Sequence, residues 1–198
     1  MIKIGITGGI GSGKTTVCKI FENFGIPVFY ADTVAKEIMV ADPLLVAGVK
    51  IAFGNESYDA EGRLNNKHIA QIVFNNSTEL ARLNALVHPA VFRAFDVWLT
   101  AVPAGVPYIL KEAALLFESG SYQACDKSIL VTAPVAVRIQ RVIERDGLSK
   151  EQVQARVDKQ MSDDEKMKMA DFLIRNDESQ SVILQVLELH HQFTHKIV

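Results

Sequence analysis

A glycine-rich run near the start of the chain has the clearest chemical potential. Gly8-Gly9-Ile10-Gly11-Ser12-Gly13-Lys14-Thr15 matches the spacing G-x-x-x-x-G-K-[ST], which is typical of loops that bind the phosphates of nucleoside triphosphates. In such loops the glycines let backbone N–H groups turn toward phosphate oxygens. We therefore predict that Lys14 reaches the β- and γ-phosphates and that the Thr15 hydroxyl binds Mg²⁺.

The elements around this run are those that a phosphate-binding loop needs. The apolar residues 2–7 before it predict a buried strand, and residues 16–21 after it have the apolar spacing of a helix. The N-terminus of that helix directs its partial positive charge at the bound anion. The predicted nucleotide contacts in this segment are Gly9, Gly11, Ser12, Gly13, Lys14, Thr15 and Thr16.

Asp32 follows the second predicted strand, residues 27–30, and so stands at its carboxyl end. Ligands of open parallel sheets bind beyond the carboxyl ends of the strands. A carboxylate at that edge can accept the proton of a hydroxyl that attacks a phosphoryl group. The alternative is that Asp32 caps a helix over residues 33–39, and the two roles are compatible.

Three arginines, Arg138, Arg141 and Arg145, are spaced i, i+3 and i+7, so they share one face of a predicted helix. Phosphoryl transfer needs cations on the transferred group, and arginine is always charged and can bind two oxygens at once. An ordinary solvated helix is the alternative. The turn at Gly147 and the polar run 162–166 predict that this helix and the next one move together as a lid.

Other polar residues carry weaker signals. Glu112 ends a predicted strand near the phosphate loop, where it could hold Mg²⁺ through water or pair with a lysine. His88 precedes a proline inside a helical pattern, and a histidine in that setting is more often a structural hydrogen-bonding group.

His191 and His195 have metal-ligand spacing but no evident third ligand, so we predict no metal site there. The segment 115–120 has two interpretations, the wall of a binding pocket or ordinary loop packing.

Composition limits the class of protein. The 198 residues are 48% hydrophobic, carry a net charge of −2 and include two cysteines, Cys18 and Cys125. These values predict a folded domain without a disulfide framework, and they give no sign of a surface for nucleic acid or membrane. We expect Cys18 to be a core residue. We also expect no signal peptide and no membrane span, so the expected location is the cytoplasm.

Strand-like and helix-like segments alternate along the chain, which predicts an α/β fold with a parallel sheet. The predicted strands cover residues 2–7, 27–30, 107–112, 128–132 and 171–174. Further helices are predicted over residues 46–53, 65–74, 78–102 and 181–196. The third of these is predicted to be interrupted at Pro89. Asp42-Pro43 and the capping box Ser149-x-x-Gln152 predict two helix starts.

Residues 32–103 contain no strand signal, which predicts a helical insertion in the α/β core. The predicted core covers residues 1–31, 104–137 and 170–198, and the predicted lid covers residues 138–169. The expected architecture is a phosphate-loop NTPase core, like that of nucleoside monophosphate kinases, with a helical substrate-binding insertion and a helical lid.

Three classes of phosphate-loop protein compete. A GTPase should carry N-K-x-D on a late strand, but Asn66-Lys67-His68-Ile69 lacks the aspartate and falls in the helical insertion. A motor ATPase is usually larger and has an apolar strand that ends in an acidic pair. The small size, the early Asp32, the insertion and the arginine-bearing lid favour a small-molecule kinase.

The chain as a whole resembles the dephospho-coenzyme A kinase family. The resemblance runs nearly end to end and is carried by an ordered set of motifs: residues 6–16, Tyr30-Ala31-Asp32-x-x-Ala35, Leu83-Asn84-x-x-x-His88-Pro89, Leu115-Leu116-Phe117-Glu118, Arg141-x-x-x-Arg145-Asp146-Gly147-Leu148-Ser149, Arg156-x-x-x-x-Gln160 and Ala170-Asp171-x-x-Ile174-x-Asn176. The phosphate loop alone is shared by a very large superfamily, whereas the ordered set is far more specific.

The resemblance implies a phosphotransferase with an alcohol acceptor, which moves the ATP γ-phosphoryl group to the ribose 3′-hydroxyl of dephospho-CoA in the last step of CoA biosynthesis. It implies that Asp32 is the base and that Lys14, Arg141 and Arg145 stabilise the transferring group. The implied contacts of the acceptor substrate are Asp32, Lys36, His88, Leu116 and Glu118. The resemblance also implies that Asn176 lies near the adenine of ATP and that Mg²⁺ is the cofactor.

The chain departs from the family pattern at three positions. Lys36 stands where arginine is common, and Glu112 and Ala114 stand where aspartate and proline are common. These changes affect the expected geometry of the acceptor site rather than the expected activity. The alternatives are a nucleoside or nucleotide kinase of the same architecture and a regulatory protein that binds ATP without chemistry. The expected partners are the two small-molecule substrates, and the expected state is a monomer or weak homo-oligomer.

Overall fold

The computed structural model describes residues 1–74 and 76–195 and divides into two compact units. One unit comprises Met1–Tyr30 and Val102–Val198; it has an α/β structure and is called the core unit below. The other comprises Ala31–Ala101, is built from helices and is called the helical unit. The roles of these segments as core, acceptor domain and lid remain predictions.

The sheet of the core unit is parallel and, within the described residues, has five strands in the order β2-β3-β1-β4-β5. The strands are β1 Ile2–Thr7, β2 Val28–Tyr30, β3 Tyr108–Glu112, β4 Lys127–Thr132 and β5 Phe172–Arg175. Residues 4–7 of the central strand β1 are all buried, and because successive side chains alternate between the faces this strand is covered on both of them. The prediction of an α/β fold with a parallel sheet is confirmed.

Helices alternate with these strands and also form most of the described part of the inserted segment. Between α3 and α4 that segment holds a 3₁₀ turn, Asn55–Ser57, and one antiparallel bridge between Tyr58 and Leu64. The helices of the described residues are α1 Lys14–Asn23, α2 Ala31–Ala41, α3 Pro43–Phe53, α4 Asn66–Val73, α5 Ser77–Thr100, α6 Val135–Asp146, α7 Lys150–Val157, α8 Asp163–Met169 and α9 Val182–His195. The predicted last helix extends to Lys196, which lies outside the described residues. No helix within residues 1–74 and 76–195 is long and apolar enough to cross a bilayer.

One hydrophobic cluster joins α1 and α9 to the sheet. Val17, Cys18 and Phe21 of α1 are fully buried, and they share this cluster with Val186 and Phe193 of α9. Burial raises the pKa of the Cys18 thiol well above its ordinary value. Cys18 is therefore a neutral core residue, as predicted.

A second cluster places α6 and α7 beside the phosphate loop. Val142 of α6 and Val153 of α7 are fully buried, and Ile10 of the loop packs against the same group. The predicted capping box at Ser149 and Gln152 is present at the start of α7. The two helices of the predicted lid therefore pack against the phosphate loop.

Helix α8 is an element that the sequence analysis did not predict. Its start carries a second capping box, in which the Ser162 hydroxyl accepts from the Glu165 N–H and the Glu165 carboxylate accepts from the Ser162 N–H. The S-x-x-E signal stands in the sequence but is hidden in a run of acidic residues, which also suit a helix N-terminus. The polar run is therefore helical, and its motion as part of a lid remains a prediction.

The helical unit packs its helices around Leu45, Val49, Phe53 and Ala90, all of which are buried. The Asp42 side chain caps α3 by accepting from the N–H groups of two following residues, with a proline at the first helical position, as predicted. The two helices of the insertion that carry the predicted acceptor contacts are α2 and α5.

Two local predictions for this unit are wrong. Asp32 lies within the first turn of α2, which begins at Ala31, so it is not the cap of that helix. Helix α5 runs without interruption through Pro89. A proline removes one backbone donor, but the residues beyond it, Ala90 and Phe95, are buried, and their packing keeps the helix in place.

Candidate active site

The phosphate loop occupies the turn between β1 and α1. Gly13 holds the N-cap position with a φ of 93°, a left-handed conformation that favours glycine. A Cβ atom there would lie only 2.1 Å from Nδ2 of Asn176, so no larger residue fits. The Asn176 amide donates to the Ser12 carbonyl at 2.8 Å, which ties the loop to the end of β5. The structure thus brings Ser12, Gly13 and Asn176 together.

The first turn of α1 carries the predicted phosphate and metal contacts. Nζ of Lys14 donates to the Gly8 carbonyl at 2.9 Å, which folds the lysine back over the loop. Thr15 and Thr16 are exposed at the helix N-terminus. The amine and the two hydroxyls therefore lie where the helix dipole favours an anion.

Glu112 lies at the carboxyl end of β3, beside the strand that leads into the phosphate loop. It is in register with Ile6 of β1 and with Tyr30 of β2, and it is largely buried. The Thr7 hydroxyl donates to the Ala114 carbonyl at 3.2 Å, so the chain after β3 is held against the end of β1. Burial is the main cause that raises the pKa of Tyr30, and the nearby Glu112 carboxylate adds to it.

The three arginines of α6 have different environments. Arg138 is only 4% exposed, whereas Arg141 is half-buried with a buried Nη1 atom that has no hydrogen-bond partner. Arg145 is exposed and forms two hydrogen bonds to the carboxylate of Asp146, at 2.7 and 2.9 Å. This pairing lowers the pKa of Asp146. The solvated-helix alternative therefore fits Arg145 in this conformation but not Arg138.

Arg138 contacts the phosphate loop directly. A Cβ atom added to Gly9 would lie 1.6 Å from Arg138 Nη1, and one added to Gly11 would lie 2.3 Å from the Arg138 carbonyl oxygen. Its Nη2 atom is 3.7 Å from Asp163, whose other carboxylate oxygen accepts from the Thr132 hydroxyl at 2.5 Å. Arg138 was predicted to lie on the arginine face but not to be a site residue, because periodicity does not show which residue of a helix face is buried.

Leu116 and Glu118 lie in the loop after β3. Leu116 is fully buried, and a Cβ atom at Gly5 would lie 2.6 Å from it, so packing in the core explains this side chain. Glu118 accepts from the Met161 N–H at 3.1 Å and lies 2.9 Å from Nζ of Lys166. The contacts of Leu116 and Glu118 with a substrate remain predictions.

The remaining predicted residues belong to the helical unit. Asp32 and Lys36 are exposed on α2, and His88 is half-buried on α5. A cavity of about 600 Å³ opens between α2, α5 and the start of α4. The cavity is lined by Ala35, Lys36, Met39, Val40, Arg63, Leu64, Asn66, Leu83, Asn84 and Val87. This unit therefore offers a concave surface that combines two cations, two amides and an apolar wall.

Comparison with known proteins assigns the family. The family model of dephospho-CoA kinase matches residues 2–181 of the chain. The chain belongs to the dephospho-CoA kinase family. The dephospho-CoA kinase of Salinibacter ruber is 43% identical over 178 residues, which cover 89% of each chain.

Two solved structures are similar to this chain over nearly their whole length. The protein TT1252 from Thermus thermophilus superposes with a TM-score of 0.85 at 35% identity, over 96% of this chain and 95% of that one. The dephospho-CoA kinase from Campylobacter jejuni superposes with a TM-score of 0.68 at 27% identity, over 97% and 96% of the two chains. As a member of this kinase family, the chain is an ATP-dependent enzyme of CoA biosynthesis that phosphorylates dephospho-CoA.

Proposed function

We propose that the chain transfers the γ-phosphoryl group of ATP to the ribose 3′-hydroxyl of dephospho-CoA and yields CoA and ADP. The observation that carries this proposal is the glycine loop between β1 and α1, with Lys14 and Thr15 in the first helical turn, in a chain of the dephospho-CoA kinase family. The backbone N–H groups and the helix N-terminus suit the β- and γ-phosphates of ATP.

Mg²⁺ is the proposed cofactor, and the donor set suits it. Within residues 1–74 and 76–195 there is no cluster of three or more His, Cys, Asp or Glu side chains that could hold a metal ion. Mg²⁺ in kinases keeps several waters and binds phosphates together with one or two protein groups, so it does not need a protein cage. We propose that Thr15 supplies its hydroxyl directly and that Glu112 binds through water. The ion would neutralise charge on the phosphates.

Asp32 is the proposed general base. The ribose oxygen attacks the γ-phosphorus, the bond from that phosphorus to the β–γ bridging oxygen breaks, and ADP leaves. The hydroxyl proton passes to the Asp32 carboxylate. Exposure of Asp32 in the first turn of α2 supports this role, because the carboxylate is accessible to a substrate.

Cations stabilise the transferring group in this proposal. Lys14 lies over the loop, and Arg141 has a buried donor that a phosphate oxygen could accept from. Arg145 must exchange its Asp146 partner for phosphate, which is feasible because that ion pair is exposed and therefore weak. Arginine suits both positions because it can bind two oxygens at once.

The acceptor substrate is proposed to occupy the cavity of the helical unit. Lys36 and Arg63 suit its diphosphate, the amides Asn66 and Asn84 suit the peptide-like groups of the pantetheine arm, and Met39 suits its methylenes. We further propose that the enzyme acts in the cytoplasm as a monomer or weak homo-oligomer, without nucleic acid or membrane partners.

Release of ADP with different acceptors tests this function. The protein is incubated with ATP and Mg²⁺ together with dephospho-CoA, adenosine, AMP or no acceptor. Turnover with dephospho-CoA alone is the expected result, and the product should carry its new phosphate on the 3′-oxygen by phosphorus NMR. Turnover with AMP or adenosine instead would support a nucleotide or nucleoside kinase. ATP binding without turnover would support a regulatory protein.

A further inference from the structure

The peptide unit between Gly9 and Ile10 is held at both of its polar ends. The Ile10 N–H donates to Oε1 of Gln160 at 2.8 Å, and the Gly9 carbonyl accepts from the Ser12 N–H at 3.0 Å. A peptide unit is planar, and its N–H and C=O point in opposite directions. The two hydrogen bonds together therefore fix the orientation of this plane at the apex of the phosphate loop.

This orientation needs a partner outside the loop. Glycine adopts a wide range of backbone dihedral angles, so a peptide plane next to a glycine can rotate easily. The Ser12 bond comes from within the loop and moves with it, whereas Gln160 is 150 positions away in sequence. Gln160 therefore holds the Gly9–Ile10 peptide from outside the loop, which no residue within the loop can do.

Gln160 is well placed to hold the loop still. Its own N–H donates to the Val157 carbonyl at 3.0 Å, at the end of α7. That helix is fixed to α6 through the buried pair Val142 and Val153. Gln160 itself stands in the short turn that follows α7, and its backbone hydrogen bond ties this turn to the packed helix.

We propose that Gln160 is a positioning residue for ATP binding, which acts by fixing the Gly9–Ile10 peptide and so keeping the phosphate cradle in its binding shape. The inference rests on the proposed function, because it assumes that the loop binds ATP. Gln160 acts through the backbone of Ile10 and does not itself contact a reacting atom. The residue belongs to the segment that we predict to be the lid, so it connects that segment to the nucleotide site.

Substitution of Gln160 by methionine tests the proposal. Methionine has a similar length, but its thioether sulfur is only a weak acceptor and cannot replace the amide oxygen in the hydrogen bond from the Ile10 N–H. Loss of one neutral hydrogen bond that orders the site should raise the Kd and KM for ATP by about 5- to 10-fold. The KM for dephospho-CoA and the melting temperature should stay near their wild-type values, since neither Ile10 nor Gln160 belongs to the helical unit and one part-buried neutral hydrogen bond contributes little to global stability.

Gln154→Met is the matched control. Gln154 is also half-buried and lies on α7, but its amide donates to Asp158 at 2.7 Å and not to the phosphate loop. We expect this variant to bind ATP as the wild type does. Exchange of the Ile10 amide hydrogen, followed by NMR, should be faster in Gln160→Met than in the wild type and unchanged in Gln154→Met.

Two results would overturn the proposal. One is an ATP Kd for Gln160→Met within twofold of that of Gln154→Met. The other is an equal rise in the KM of both substrates, which would indicate general damage. Calorimetric titration with Mg-ATP alone keeps this test separate from the proposed function. If the wild type bound ATP but did not phosphorylate dephospho-CoA, the proposed function would fail while the role of Gln160 could still be measured.

Discussion

Nζ of Lys166 lies 2.9 Å from a carboxylate oxygen of Glu118 and is completely enclosed by protein. The contact is an ion pair rather than a well-aligned hydrogen bond. The Glu118 carboxylate also accepts from the Met161 N–H, so it joins the loop after β3 to the start of α8. A buried ammonium group that loses its carboxylate partner remains in a medium where its charge is costly.

Glu118→Gln should therefore destabilise the fold. We expect the free energy of unfolding to fall by about 3 kcal/mol, because the buried Lys166 side chain loses its carboxylate partner. Urea denaturation measures this change. Glu61→Gln serves as control, since Glu61 pairs with Arg63 on the open surface, where ion pairs contribute little. Equal stability of the two variants would show that the buried pair does not stabilise the fold.

Asp32→Ala should separate chemistry from nucleotide binding. Removal of a general base lowers turnover by about 10²- to 10⁴-fold, whereas the affinity for ATP should stay close to that of the wild type. Steady-state kinetics and calorimetric titration with Mg-ATP measure the two quantities. Glu37→Ala, an exposed carboxylate on the same helix, should change neither of them. Turnover of Asp32→Ala near the wild-type value would remove Asp32 as the base.

Lys14→Ala should lower the rate of phosphoryl transfer. Loss of one fixed positive charge from the transition state costs about 10²- to 10³-fold in kcat. Lys19→Ala is the matched control on the same helix, since Lys19 is exposed and pairs with Glu22 at 2.7 Å. A near-normal kcat for Lys14→Ala, measured at saturating ATP and dephospho-CoA, would contradict the role of this lysine.

Gly9 and Arg138 should be energetically coupled. Alanine at position 9 would place its Cβ atom 1.6 Å from Arg138 Nη1, so Gly9→Ala should destabilise the fold by about 1–3 kcal/mol through overpacking. Arg138→Ala removes the clash, and the double variant should be more stable than the sum of the single effects predicts. Urea denaturation of the four proteins in this cycle gives the coupling energy. Strict additivity would show that the guanidinium can move away from Gly9 at no cost.

Stability should fall in mild acid because of His190. Burial lowers the pKa of His190 from its ordinary 6.5, and nearby His195 and His191 add to this effect. The Tyr108 hydroxyl is 2.7 Å from Nδ1 of His190. Since the folded pKa lies below the unfolded one, the unfolded chain binds the proton first. The contribution of His190 is complete above pH 6.5 and is lost as the pH falls from there through the folded pKa.

The comparison of two histidine variants checks this dependence. Unfolding free energies at about pH 7.5 and about pH 5.5 should differ less for His190→Gln than for the wild type. His191→Gln, at an exposed position on the same helix, should keep most of the wild-type pH dependence, because burial and not His191 is the main cause of the lowered pKa of His190. An unchanged pH dependence in His190→Gln would assign the acid sensitivity to other groups.

The sequence predicts those parts of the fold and site that local patterns specify. The strand over residues 2–7, the glycine loop and the cap at Asp42 follow from patterns within a few neighbouring residues, and the structure has all three. The continuous helix through Pro89 could not be predicted in this way, because packing of Ala90 and Phe95 against distant residues outweighs one missing donor.

Contacts between distant parts of the chain cannot be predicted from such local patterns. The burial of Arg138 against Gly9 and the hydrogen bond from Ile10 to Gln160 depend on how α6 and α7 pack beside the loop. The spacing of the arginines predicted that Arg138 lies on one helix face, and Gln160 belongs to a motif of the family resemblance. Neither signal predicted which residue the side chain contacts. Hydrogen bonds between residues far apart in the chain depend on tertiary packing, which cannot be predicted from local patterns in a single sequence.

The order of the strands has a consequence for synthesis of the protein. β1 leaves the ribosome first, but neither of its neighbours exists until Tyr108 of β3 follows, and β2 pairs with β3 as well. The helical unit lies between them in the chain and is complete before any strand can pair. Ile4 and Ile6 therefore stay without their sheet partners while about half of the chain is made, which exposes a hydrophobic strand to aggregation during translation.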